Sequence, residues 1–146
     1  MEIKQLYREI VNEHNLRPEH KGHMEQADAT LRGVNPSCGD DIVLQLKFSQ
    51  DGTIEDVMYE GSGCAISQAS VDMMADQIIG KTKEEALQQS QLFMGMIKGE
   101  IKDETALMEL EEAAALQDIS HMPARVKCAV LGWRTMRQML TGEENE

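Results

Sequence analysis

The chain has 146 residues, about one domain's length, with 41% apolar and 27% charged residues, a balance that excludes a disordered chain. No apolar run approaches the ~20 residues of a membrane span, and the N-terminal MEIKQLYREI lacks the uninterrupted apolar stretch of a secretory signal. A formal net charge of −12 and 3% aromatic residues disfavour nucleic-acid binding, while a basic protein partner is easier to accommodate.

Ile3, Leu6, Tyr7, Ile10 and Val11 form the apolar stripe of a first helix, which Asn15 and Pro18 end. Residues 19–28 read as a polar, irregular loop. Ala29–Val34 reads as a strand. Ile42, Leu44, Leu46 and Phe48 then alternate with Val43, Gln45 and Lys47, the pattern of a half-buried strand. Asp51-Gly52 supplies a hairpin turn, and residues 53–60 return. Beyond Gly63 the chain reads as helical. Val71, Met74, Ala75 and Ile78 make one stripe, stopped at Gly80. Thr82 and Glu85 carry a capping-box signature for the next helix, which runs through Phe93 and Ile97 to Gly99.

The stretch 102–118, with six acids and one base, predicts a short helix lying on the surface, with Leu107, Leu110 and Ala114 as a thin apolar seam. Pro123 opens the last helix, where Val126, Ala129, Trp133, Met136 and Leu140 share a stripe. The tail 142–146 reads as solvated and frayed. The eleven Met residues read as core filler. With no repeat and no linker, residues 1–146 are one domain. The fold class is α+β: a three-stranded antiparallel sheet with helices on one face.

Three cysteines in a chain without a leader argue against a disulfide framework and for a reducing, cytoplasmic setting. Cys38 lies in the turn NPSCGD, Cys64 in GSGCAIS, and Cys128 in the first turns of the last helix, on the side away from its apolar stripe. Cys38 and Cys64 flank one hairpin at its open end, so topology brings them together. The helix start at Cys64 favours thiolate over thiol. Asp40 follows Cys38 across Gly39, whose missing Cβ permits a tight backbone. The candidate constellation is therefore Cys38, Asp40, Cys64 and Cys128. Its donors suit tetrahedral zinc or a small iron–sulfur cluster, with the carboxylate the most readily displaced. Arg125, one helical turn before Cys128, can set a guanidinium beside a thiolate or Asp40. Lys127 points to solvent. His14 ends the first helix, His20 and His23 are loop residues, and His121 is a spare candidate ligand.

NPSCGD, GSGCAISQAS and MPARVKCAVLGW, in that order along nearly the whole chain, resemble the U-type iron–sulfur assembly proteins, the SufU/IscU family. The resemblance implies an α+β fold and a metal site of Cys38, Asp40, Cys64 and Cys128. Within the family it is to the SufU branch. Lys127 stands where the IscU branch has a histidine, Met122-Pro-Ala-Arg-Val departs from the IscU chaperone motif, and the acidic stretch 102–118 is similar to the SufU insertion. The resemblance implies a zinc-dependent acceptor that takes persulfide sulfur from a SufS-type cysteine desulfurase and passes it to downstream cluster assembly proteins. Cys38, on a turn, is then the expected sulfur acceptor and Arg125 a supporting residue. Two other readings stand beside it: an IscU-type scaffold holding a transient iron–sulfur cluster or iron, and a structural zinc module that docks a partner.

Overall fold

A computed structural model describes residues 3–142, with the side chains of residues 3–7 outside the description. The stripe positions Ile3, Leu6 and Tyr7 therefore lie outside the described side chains, and most of the tail predicted to fray lies outside the described residues. The elements in order are α1 (Ile3–Leu16), β1 (Ala29–Asn35), β2 (Asp40–Phe48), β3 (Ile54–Ser62), α2 (Ala65–Ile78), α3 (Lys83–Ile97), α4 (Glu104–Leu107), a 3-10 segment (Met108–His121) and α5 (Pro123–Thr141). The class is α+β, with an antiparallel sheet in the order β1-β2-β3. Among the described residues no helix is long and apolar enough to cross a membrane.

The alternation in β2 places Ile42, Leu44 and Leu46 in the core. Leu44 pairs with Tyr59 and Leu46 with Val57, so both strands bury the same face. Helices α2 and α5 cover that face. Close backbone approach makes this possible. A Cβ on Gly33 of β1 would overlap Thr135 of α5, and one on Gly132 of α5 would lie 2.8 Å from a Val71 methyl of α2. Ser70 also donates to the Ala129 carbonyl at 2.6 Å, tying α2 to α5. Phe93 of α3 stacks on Trp133 with ring centroids 4.4 Å apart, a contact beyond simple area burial. The predicted capping box is present: Thr82 accepts from the Glu85 N–H at 3.1 Å and donates its own N–H to the Glu85 carboxylate at 2.9 Å.

The sheet departs from the sequence expectations at Gln45 and Phe48. Gln45, on the polar side of β2, is buried because the 19–28 loop crosses that face. Its amide donates to the Met24 carbonyl and accepts from the Met24 N–H, at 2.9 and 2.8 Å. The same loop bonds the edge of β3 through Gly22 N–H to Tyr59 O and Tyr59 N–H to His20 O, at 2.8 and 3.0 Å, which protects that edge. Phe48 leaves the buried row after a register shift at Lys47 and instead lies under the Lys83 ammonium, 4.5 Å from its ring centroid.

The acidic stretch is not a surface helix with a thin seam. It is a single α turn followed by a 3-10 run, broken at Glu111 (φ 51°, ψ −124°), and it packs against α3, α1 and α2. Leu107, Leu110, Ala113, Leu116 and Ile119 are all buried. The near three-residue spacing of these apolar side chains suits a 3-10 helix, in which i and i+3 eclipse. Among the methionines, Met73, Met74, Met96 and Met136 fill the core as predicted, whereas Met108 and Met122 are exposed.

Candidate metal centre

The turn between β1 and β2 sets the first half of the site. The Cys38 N–H bonds the Asn35 carbonyl at 3.2 Å, and Gly39 takes φ 74°, a conformation that favours glycine. The turn closes on the pair Asn35–Asp40 at the sheet end. It leaves Cys38 half-buried and Asp40 1% exposed. The second half comes from the junction of β3 and α2. Cys64 is the N-cap of α2, and its sulfur accepts from the Ser67 N–H at 3.4 Å. One Asp40 oxygen joins the halves, accepting from the Cys64 N–H at 2.8 Å and the Ser67 hydroxyl at 3.1 Å. The other accepts from the Asn35 amide at 3.1 Å. Gly63 leaves room for this, since a Cβ there would sit 2.6 Å from the Asp40 carboxylate and 2.5 Å from the Ser67 hydroxyl.

Helix α5 brings the third thiol. Cys128 Sγ lies 3.1 Å from Cys38 Sγ and 3.6 Å from the Asn35 amide nitrogen. It does not face away from the packed side of α5, as the apolar stripe predicts, but is fully buried. The buried arc of α5 is wider than the stripe, because α5 beds against both α2 and β1, and Val130 and Leu131 are buried beside Ala129. The ligand atoms of Cys38, Asp40 and Cys128 all lie within 4.8 Å of one another. Cys64 stands beside this trio, with its N–H on Asp40 and its thiol close enough to Cys128 to perturb it.

Residues 6–129 match the model of the family described as "NifU-like N terminal domain". The chain belongs to that family. Among its relatives in this NifU-like family, the iron–sulfur cluster assembly scaffold protein IscU of Streptococcus pyogenes is 39% identical over 143 residues, covering 98% of this chain and 87% of that protein. The zinc-dependent sulfurtransferase SufU of Bacillus subtilis is 39% identical over 139 residues, covering 95% and 92%. A crystal structure from Fervidobacterium islandicum, described as that of a candidate iron–sulfur cluster assembly scaffold protein for the SUF system, superposes with a TM-score of 0.85 at 38% identity, covering 94% of this chain and 98% of that one.

The electrostatics of this NifU-like site follow from burial and from the close approach of its thiols and carboxylate. Burial pushes the Cys128 thiol well above its ordinary pKa, and the neighbouring Cys38 and Cys64 thiols and the Asp40 charge push it further. Burial also raises the Asp40 carboxyl, but the hydrogen bonds from Cys64, Asn35, Ser67 and Cys128 outweigh it and hold the group below the usual carboxylate range. The exposed Arg125 is drawn to the thiols: its pKa is raised by its bond to Cys128 and then by the charges of Cys64 and Cys128. Arg125 therefore lies where its helical spacing predicts. Lys127 is exposed as predicted. His121 is exposed and belongs to no group of convergent ligand atoms among the described residues.

Sequence reasoning missed Asn35 and Ser67. The signal for Asn35 is masked because Asn before Pro reads as a turn initiator. Its amide nevertheless touches both Asp40 and Cys128. Ser67 is three residues into the helix that Cys64 caps, a position whose ordinary reading is local capping.

Proposed function

We propose that the chain acts as one domain, in the cytoplasm, as a zinc-dependent sulfur acceptor for a SufS-type cysteine desulfurase. It then passes the sulfur to downstream iron–sulfur cluster assembly proteins. The observation that carries this reading is the placement of Cys38: a half-buried thiol on a turn, 3.1 Å from the fully buried Cys128 and beside a carboxylate held ionised. Cys38, Asp40, Cys64 and Cys128 are the residues that would hold zinc. Three sulfurs and a carboxylate are the donor types that zinc takes, and convergent thiolates without a cation would repel one another. When bound, zinc favours the deprotonated thiols at neutral pH.

The transfer itself uses the chain's own groups. The Cys38 thiolate attacks the outer sulfur of the persulfide on the desulfurase cysteine. A new S–S bond forms at Cys38, the old one breaks, and the desulfurase cysteine leaves as a thiolate. Cys128 is too buried to reach a partner's persulfide, and Cys64 is held at the helix start by the Ser67 N–H. Arg125 lies next to the thiols and offsets their negative charge.

A second reading, the cluster scaffold, draws support from the IscU relative at the same identity as the SufU one. One experiment separates them. The purified protein is mixed with desulfurase and cysteine, and persulfide is located by mass spectrometry alongside metal analysis. Persulfide on Cys38 with stably bound zinc and no visible chromophore supports transfer. A reconstituted coloured cluster that moves intact to an apo-protein supports scaffolding.

A further inference from the structure

A second group of ligating side chains converges between α1, α2 and the 3-10 segment. His14 of α1 places Nδ1 2.6 Å from Asp72 and Nε2 2.7 Å from Glu112. Its Nε2 neighbourhood includes Asp76 of α2, so that ligand atoms of His14, Asp76 and Glu112 lie within 4.8 Å of one another. Asp76 also belongs to an adjoining trio with Glu19 and His20, and the His20 ring lies 2.7 Å from it. A cavity of about 390 Å³ opens on these groups, lined by Glu19, Asp76, Glu111 and Glu112.

The arrangement differs from a surface acidic patch in its buried part. Asp72 is fully buried and lies outside the ligand trio. It is itself oriented by the His20 and Glu19 N–H groups at 3.1 and 3.4 Å. It fixes the His14 ring through Nδ1, which leaves Nε2 as the nitrogen turned toward the other carboxylates. A carboxylate on one ring nitrogen, orienting the other, is the support that metal-bound histidines have. The charge is also unbalanced. The His14 ring faces Asp72 and Glu112 and the His20 ring faces Asp76, yet no Lys or Arg pairs with Glu19, Asp76, Glu111 or Glu112 among the described residues, where the Arg ion pairs are Arg17–Glu13 and Arg32–Asp41.

We propose that His14, Asp76 and Glu112 form a second divalent-cation site, separate from the thiols, that takes a first-row ion of the manganese, ferrous or zinc type. The nitrogen and oxygen donors select such ions without the soft preference of thiolates. Three protein ligands leave positions for water or for a further group such as Glu19. Loading replaces the proton on His14 Nε2, which leaves to solvent as the ion binds. The inference does not depend on the sulfur-acceptor reading, because it uses none of the residues of the thiol centre.

Manganese is the probe, since a thiolate site discriminates against it. Zinc-loaded protein is titrated with Mn²⁺, and free Mn²⁺ is followed by electron paramagnetic resonance. The expected result is one saturable ion per chain and a higher thermal midpoint with Mn²⁺ present. Asp76→Asn and His14→Gln should each weaken binding at least about tenfold, and Asp72→Asn, which keeps all three ligands, should weaken it by about tenfold or more. The Asp76 side chain is 42% exposed, so Asp76→Asn retains the fold and tests the site even where His14→Gln does not fold. Glu55→Gln, which alters an exposed carboxylate of β3 outside both groups, should bind Mn²⁺ as the parent does. Absence of a saturable site, or one unmoved by Asp76→Asn, overturns the proposal. Equal affinity in Asp72→Asn reduces the cluster to diffuse charge and overturns it as well.

Discussion

Asp40→Ala in the metal-free protein separates what the carboxylate does for the fold from what it does for a metal. Besides its hydrogen bond with the Cys128 thiol, the truncation removes the acceptor of three N–H and O–H donors: the Cys64 N–H, the Asn35 amide and the Ser67 hydroxyl. Ser67 keeps the Cys64 carbonyl at 3.1 Å, and Asn35 keeps the Cys128 sulfur at 3.6 Å, a weak acceptor. The Cys64 N–H keeps none. A buried donor left unpaired costs ~1–3 kcal/mol, so one full and two partial losses come to about 3 kcal/mol. In a chain of 146 residues that lowers the thermal midpoint by about 10 °C. Asp40→Asn retains an oxygen for Cys64 and Ser67 but sets its own amide against that of Asn35, so about half the loss is expected. The folded pKa of Asp40 lies below its ordinary value. Its contribution is therefore complete above the ordinary carboxylate range and disappears as pH falls through the folded pKa, so Asp40→Ala should lose less stability than the parent on acidification. Urea unfolding with chelator present, followed by circular dichroism, measures all three proteins. An Ala variant with the parent's midpoint, destabilised only when zinc is supplied, would refute the reasoning and leave Asp40 as a ligand alone.

Three further outcomes follow from the same geometry. Cys38→Ser should abolish desulfurase activation and collect no persulfide, because the hydroxyl is not ionised near neutral pH; mass spectrometry that finds sulfur on Cys128 in this variant would reverse the assignment. His14, raised to about 9 first by its bond to Asp72 and also by Glu112, contributes stability that is complete below pH ~6.5 and is lost as pH rises through about 9. The span is about 3 kcal/mol, and unfolding curves at pH 6 and 10 should show it in the parent but not in His14→Gln; equal slopes in the two proteins would sink the argument. Gly63→Ala should force Asp40 and Ser67 apart, destabilising the metal-free protein by about 1–3 kcal/mol and loosening zinc in a chelator competition.

How far this site could be read from the sequence depends on how local each signal is. The hairpin, the capping box and the proline at the start of α5 rest on neighbours in the chain, and all three are present. The approach of the turn that carries Cys38 and Asp40 to the Cys64 junction needed one more step, antiparallel pairing, and that is legible because strands leave from one and return to the other; the thiol that Cys38 meets at 3.1 Å is Cys128. The burial of Cys128 is not local. It follows from α5 lying between α2 and β1, a contact that Gly33 and Gly132 permit, and a helix stripe counted in one dimension cannot report a second covered face. The acidic stretch fails as a surface helix for a related reason. Its acids suggested a solvated segment, while Leu116 and Ile119 continue the buried row beyond the seam that was counted.

The polar network of the thiol centre lies at the far end of that scale. Asn35 and Ser67 carry no chemistry of their own, and each has an ordinary local reading at its place in the chain. Their importance appears when the two ends of the hairpin meet and a single buried carboxylate must be satisfied from both sides. A low-dielectric interior makes any unpaired group costly, so the folded protein supplies a partner for every oxygen of Asp40. The same partners hold the carboxylate ionised beside the thiols. Fold stability and the ligand role proposed for Asp40 thus converge on one side chain. This explains why Asp40 is deeply buried while Cys38, two residues earlier across a glycine, stays within reach of solvent.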